Sequence, residues 1–181
     1  MNMTATADTL HKAVLHLAQE HQRRYYGKFR GIVTDNNDPD KQGRIRAKVA
    51  ELFGNEQTGW AMPCVHYAPP GHGMLHLPEL DSNVWIEFEA GDPSRPIWAG
   101  CWWPANKAVP ISSPAVKTFE TAAGNRITLD DTSGSETVSL QDKNGATVTL
   151  NQQGIELKKG GMSLQISDSQ VAINGTSLTV L

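Results

Sequence analysis

The chain has 181 residues, with 16 Lys and Arg against 19 Asp and Glu and a formal net charge of −3. That length is a prior of one or two domains. The basic-to-acidic counts, 10 to 12 over residues 1–104 and 6 to 7 over 105–181, lack the basic excess of a nucleic-acid binder, and no apolar run of about 18 residues encodes a membrane span.

Met1 to Asp8 contains no basic region leading into an apolar stretch, so synthesis in the cytoplasm is expected. Residues 8–26 then read as a helix. Leu10, Ala13, Val14, Leu17, Ala18 and His21 fall at helical spacing on one side, with Asp8 as N-cap and Gly27 as stop. Two placements are open for this amphipathic helix. It packs on its own domain, or it is an arm docked on a neighbouring subunit.

Residues 28–103 form a run of short strands: Phe29–Thr34, Gly43–Glu51, Trp60–His66, Asn83–Glu89 and Pro96–Trp102. Five such strands in about 75 residues suggest a small closed barrel, because closure removes exposed edges. Trp60, Trp85, Trp98, Trp102 and Trp103 lie in or beside these strands and are expected to supply much of its apolar bulk. Cys64 and Cys101, the whole cysteine inventory, sit in apolar runs and read as buried free thiols, with a disulfide between them as the alternative that a cytosolic origin disfavours. Residues 104–117 contain Pro104, Pro110 and Pro114 without periodicity, which is a stiff, extended linker.

From residue 118 onward one pattern repeats: apolar, polar, apolar, then a polar turn. It appears at Ile127–Leu129, Val138–Leu140, Val148–Leu150, Ile155–Leu157, Leu164–Ile166, Val171–Ile173 and Leu178–Val180. Each repeat is a strand with one wet and one dry face, and the Asp, Asn and Gly between them are turn chemistry. A single chain built this way has no second layer for its dry face. The economical cover is further copies of itself.

The barrel region carries a longer pattern. Gly31–Val49, with the acidic turn Asp35-Asn36-Asn37-Asp38-Pro39-Asp40, leads to Leu77-Pro78-Glu79, the strand Val84-Trp85-Ile86-Glu87-Phe88, the turn Gly91-Asp92-Pro93-Ser94-Arg95-Pro96 and the ending Ile97–Gly100. This resembles the oligonucleotide/oligosaccharide-binding (OB) fold domain of the phage baseplate assembly protein V family, shared with the central spikes of contractile tails and the valine-glycine-repeat spike of type VI secretion. The motif residues have physical roles of their own. Gly91 takes a positive φ to end a strand, Asp92 caps the turn, and Pro96 starts a strand where a missing N–H does little harm.

The resemblance implies an all-β architecture in four parts: an N-terminal helical arm (1–27), a five-stranded OB-fold barrel (28–103), the linker (104–117) and an intertwined trimeric β-helical, or β-prism, needle (118–181). Three chains would wind around one axis, each strand hydrogen-bonded to neighbours from other chains. Val138, Leu140, Val148, Leu150, Ile155, Leu157, Leu164, Ile166, Val171 and Ile173 would form the trimer core, each worth about 1.5–3 kcal/mol when fully buried. Seven strands at roughly 4.8 Å give about 30 Å of needle. Spacing between repeats falls from 11 and 10 residues to 7, 9, 7 and 7, which reads as a taper. Leu178, Val180 and Leu181 would make a blunt apolar end, either a face for a separate tip protein of the proline-alanine-alanine-arginine-repeat kind or a truncated last strand.

Chemistry is weakly represented. Cys64, His66, His72 and His76 have a metal-like spacing, but they lie in a Pro- and Gly-rich loop where solvated histidines are the plainer reading. No His follows His76, so the iron-bound His-x-His tip of some relatives cannot be built from these residues. Glu87 and Glu89 share a strand face without a cleft to raise a pKa. No catalytic residue, metal or cofactor is expected. The expected partners are two further copies, the hub and tube of a baseplate, a tip protein and, transiently, a target envelope, within a virion or tail-like particle. Two alternatives come from other classes. One is an OB-fold module binding glycan or single-stranded nucleic acid on a fibre-like stalk, using Trp60, Trp85, Trp102, Trp103, Arg44, Arg46 and Lys48. The other is an enzyme or carbohydrate-binding fibre tip.

Overall fold

The computed structural model describes residues 3–105, 109, 111, 113–175 and 178–180, with side chains undescribed at 3–8, 20–22, 179 and 180. The chain divides into two units at residues 107 and 108. The first unit opens with helix α1 (Met3–Gln22). On it Leu10, Val14, Leu15 and Leu17 are 48–67% exposed. Among the described residues, then, the apolar stripe is not buried on the barrel.

Five strands follow: β1 (Phe29–Asp35), β2 (Arg46–Lys48), β3 (Met62–Pro63), β4 (Asn83–Phe88) and β5 (Pro96–Cys101). They are ordered β2-β1-β4-β5-β3, antiparallel except for the parallel β3–β5 pair. The sheet closes on itself where Ile45 and Ala61 exchange two backbone hydrogen bonds of 3.2 and 2.7 Å, joining the β2 and β3 ends. Closure explains how strands of two and three residues persist, since no edge is left to water. The interior holds Val33, Ile45, Ala47, Val49, Ala61, Val84, Ile86, Phe88 and Trp98.

Several expectations need correction. Helix α1 begins at Met3, so Asp8 lies inside it and not at its N-cap, the strand expected at Trp60–His66 is only Met62–Pro63, and the expected linker 104–117 gives way to a strand at Val116. The stretch Gly43–Glu51 is not one strand: only Arg46–Lys48 is extended, and helix α2 (Ala50–Phe53) follows at once. Its Phe53 joins Tyr25, Phe29 and Phe88 in an aromatic plug with centroids 5.8–6.1 Å apart. The tryptophans are mostly outside the core. Trp98 alone is buried, its indole N–H donating to the Gly43 carbonyl at 3.0 Å, while Trp103 is 61% exposed. An indole occupies so much volume that a barrel of this girth takes one and relies on Val, Ile and Ala for the rest. The cysteines are free but exposed. Partial desolvation still pushes the Cys101 thiol upward.

The second unit is one antiparallel sheet of eight strands: β6 (Val116–Glu120), β7 (Arg126–Asp130), β8 (Thr137–Gln141), β9 (Ala146–Asn151), β10 (Gly154–Lys159), β11 (Met162–Ile166), β12 (Val171–Ile173) and β13 (Leu178–Val180). Each strand pairs with its neighbours in sequence, in the order β13 to β6. The backbone ladder expected between chains is therefore made within one chain. The turn signals operate as read. Asp130, Asp142 and Asn151 each accept the N–H two residues on, at 2.9–3.1 Å. β6 is a strand the periodicity does not announce, because Phe119 is its one large apolar residue between charged and small ones.

Candidate functional site

Directly opposed residues of antiparallel strands point to the same side of a sheet. Following the register across β6 to β13 gives one unbroken row: Phe119, Ile127, Leu140, Val148, Leu157, Leu164, Ile173, Leu178. Two residues along each strand lies a second row: Lys117, Leu129, Val138, Leu150, Ile155, Ile166, Val171 and, by register, Val180. Between them, on the other side, run Thr118, Thr128, Ser139, Thr149, Glu156, Gln165 and Ala172. One face of the sheet is thus apolar from β7 to β13, with Phe119 and Lys117 at its β6 end, and the other is mostly polar. No strand slips by a residue, which would have inverted its pattern.

All ten residues expected in the trimer core fall in these two rows. The expected trimer core left out Phe119 and also Ile127 and Leu129, which the sequence had marked as the first repeat; all three extend the rows toward β6. Continuation of the same spacing upstream of Val138 was the available signal for Ile127 and Leu129. The face is uncovered in the single chain. Leu140 is 47% exposed and Leu157 41%. Ten apolar residues are buried among those described, nine in the barrel and only Ala172 in the sheet. A twisted apolar trough of about 740 Å³ lies along the first row. A contiguous uncovered face of this kind marks an association surface.

One charge, Lys117, falls within the apolar rows, at their β6 end. Lys117, at the end of the second row, turns its ammonium to Asp131 at 2.5 Å and the Ala115 carbonyl. Glu120 pairs with Arg126 at 2.9 Å and Lys159 lies 3.8 Å from Asp142. The backbone N–H of Ala146, with further donors from Asn144, holds the Asp142 carboxyl below the usual range, and Thr132 does the same for Asp130. Leu178 is 55% exposed and continues the first row. Leu181 lies outside the described residues.

On the barrel, the loop charges lock a turn. Asp38 is buried and accepts hydrogen bonds from the backbone N–H groups of Asp40, Gln42 and Arg44 and from the Arg44 guanidinium at 2.6 Å. The Arg44 side chain, and then these N–H groups, hold the carboxyl far below the usual carboxylate range despite its burial. Asp92 caps its turn as expected, accepting from the Ser94 N–H and hydroxyl at 3.0 and 2.8 Å.

Several of the residues considered for ligand or metal binding have other engagements. Arg30 stacks over Trp102 at 4.7 Å and Trp85 at 5.9 Å, and Arg46 over Trp60 at 4.7 Å. Lys48 donates to Asn55, and Arg44 to Asp38 and Asp40. The His72 ring meets the Tyr67 ring edge-on, and the Tyr67 hydroxyl lies 3.2 Å from the His72 Nε2. Among the described residues, Cys64, His66, His72 and His76 do not converge on a common point as metal ligands. Glu87 pairs with Lys28, and Glu89 with Arg95 at 2.5 Å. No helix of the described residues is long and apolar enough to cross a membrane.

Comparison with known proteins follows the same division. Residues 29–103 match the family described as the type VI secretion system/phage-baseplate injector OB domain. Residues 116–179 match the phage baseplate V C-terminal trimerisation domain. Among curated proteins, the type VI secretion system spike protein VgrG4b of Pseudomonas aeruginosa is 27% identical over 112 residues, which is 55% of this chain and 14% of that protein. The spike protein VgrG1a of the same organism is 26% identical over 149 residues, 78% of this chain and 21% of that protein. The actin cross-linking toxin VgrG1 of Vibrio cholerae is 29% identical over 113 residues, 56% of this chain and 10% of that protein. The chain therefore spans about a fifth or less of the length of these relatives.

Proposed function

The chain belongs to the phage-baseplate and type VI secretion injector family, through its OB domain and its trimerisation domain, and on that premise we propose that it is the structural central spike of a contractile tail or tail-like injection system. Three copies associate through the apolar faces of their eight-stranded sheets, each sheet forming one side of a prism. The observation that carries this reading is the pair of apolar rows running in register from β7 to β13, the first of them reaching β6 at Phe119, on a sheet face left exposed among the described residues. Only association removes that face from water, at about 25 cal/mol per Å² of apolar surface.

The work of such a molecule is mechanical. The barrels mount the prism on the hub and tube of a baseplate, close the tube, and the prism leads into the target envelope. Each chain places its hydrogen-bond ladder along the prism length and its side chains at the axis, so bending requires breaking ladder and core together. The polar outer face of Thr, Ser, Glu and Gln suits a shaft that passes through water and lipid headgroups. The apolar end at Leu178, Val180 and Leu181 receives a separate tip protein. Deleting residues 177–181 should abolish co-purification with the tip while leaving the three-chain assembly intact.

The deciding experiment is mass measurement in native buffer. A three-chain mass is expected, and Leu157→Asp with Leu164→Asp should convert it to monomer, since charges at the axis cannot be solvated. A clean monomer from the unaltered chain overturns the proposal.

A further inference from the structure

The N-terminal helix has a second unpartnered face, and its root is fixed. Arg24 donates to the Ala90 carbonyl at 3.1 Å, and the Tyr25 N–H to the Gly91 carbonyl at 2.9 Å. The Tyr25 ring enters the aromatic plug beside Phe53 and Phe88. Gly91 (φ +76°) lets the chain cross here, because a Cβ would sit 3.0 Å from the Tyr26 ring and 3.1 Å from the Arg24 side chain. The helix thus leaves the barrel from one defined point on the β4–β5 turn. Copies of the barrel in a symmetric particle present copies of this root at equivalent points.

Beyond the root, Leu10, Val14 and Leu17 are 66%, 55% and 67% exposed. Their spacing of four and then three residues is the seam of a coiled coil, and the sequence continues it to His21. A helix of 20 residues is only marginally stable in water without a partner for its apolar stripe. Its charges, Asp8 and Glu20 against Lys12, are too few and too mixed to repel identical neighbours.

We infer that α1 of each chain packs against α1 of the other two copies in a parallel three-helix bundle, with Leu10, Val14 and Leu17 inside. This rests on the three-chain reading above. The match of residues 116–179 to a trimerisation domain supports that tethering. Three tethered helices meet at a high effective concentration, so a short seam suffices. The bundle gives the assembly a second clamp, formed at the end of the sequence opposite the prism strands.

The test uses the full chain with Cys64→Ser and Cys101→Ser, since both native thiols are exposed. Leu10→Cys, Leu17→Cys and, as the outward control, Lys12→Cys are each treated with a short bis-maleimide. Native mass is measured in parallel. A three-chain mass with several-fold more linked dimer at positions 10 and 17 than at 12 is the expected result. A three-chain mass with equal linking at all three positions overturns the helix bundle and leaves the spike standing, the stripe then belonging to a different protein. A one-chain mass overturns both.

Discussion

At Gly154, φ is +127° and a Cβ would lie 2.0 Å from the carbonyl oxygen of Ile166. No side chain fits between these backbones, so Gly154→Ala should cost about 2 kcal/mol or more per chain through strain and overpacking. Gly145 has φ +79° but open space around it, so Gly145→Ala should cost about 1 kcal/mol from backbone strain alone. Chemical unfolding of the two variants checks the difference. The capped aspartates set the acid limit. Asp38, Asp92, Asp130 and Asp142 all titrate below their unfolded value because N–H groups, hydroxyls or Arg44 favour the carboxylate. The unfolded chain binds protons first as the pH drops, so their contribution is complete at neutral pH and is lost from about pH 4 downward. Tm should stay level between about pH 7 and pH 5 and then fall with acid. Asp38→Asn should lower Tm at neutral pH and flatten that fall for the barrel transition. A Tm profile unchanged by this substitution would separate the clasp from barrel stability.

The elements differ in how plainly their residues announce them. The seven repeats from Ile127 onward were legible because each strand alternates and each turn carries Asp, Asn or Gly, and those signals are local. β6 was not, because Val116-Lys117-Thr118-Phe119-Glu120 offers one large apolar side chain and its strand state depends on pairing with β7. Helix α2 was hidden because Val49 ends an alternating run and Phe53 is drawn into a plug by residues far away in sequence. The position of the tryptophans was equally invisible: alternation places Trp85 opposite in phase to Val84 and Ile86, but the number of indoles the barrel accepts is set by closure. The site itself was the most legible feature, since register and period together decide a face. Charging it should be disruptive wherever it is done. Leu140→Asp alone should weaken assembly strongly, whereas Thr149→Asp, on the polar side between the two rows, should leave the assembled mass unchanged. Size exclusion with light scattering distinguishes them.

For the whole molecule, the two units differ in what holds them. Among the described residues, the barrel has a buried cluster of nine hydrophobic side chains, and the sheet has Ala172. Barrel unfolding should therefore be independent of protein concentration, and sheet unfolding should shift to higher temperature as concentration rises. Calorimetry over a hundredfold dilution series tests this, with a single concentration-independent transition as the contrary result. The meander has a further corollary for length. From β8 to β11 the strands are joined by links of two to four residues, and Leu140 faces the β9 residue Val148 just as Leu157 faces Leu164 across β10 and β11. Excising the β9–β10 hairpin would bring Leu140 opposite Leu164 and Val138 opposite Ile166, with polarity preserved. The sheet would shorten by two strand spacings, about 10 Å, and stay in phase. In the spike proposed above, length is thus adjustable in whole hairpins, with the barrel and the last strands left as they are.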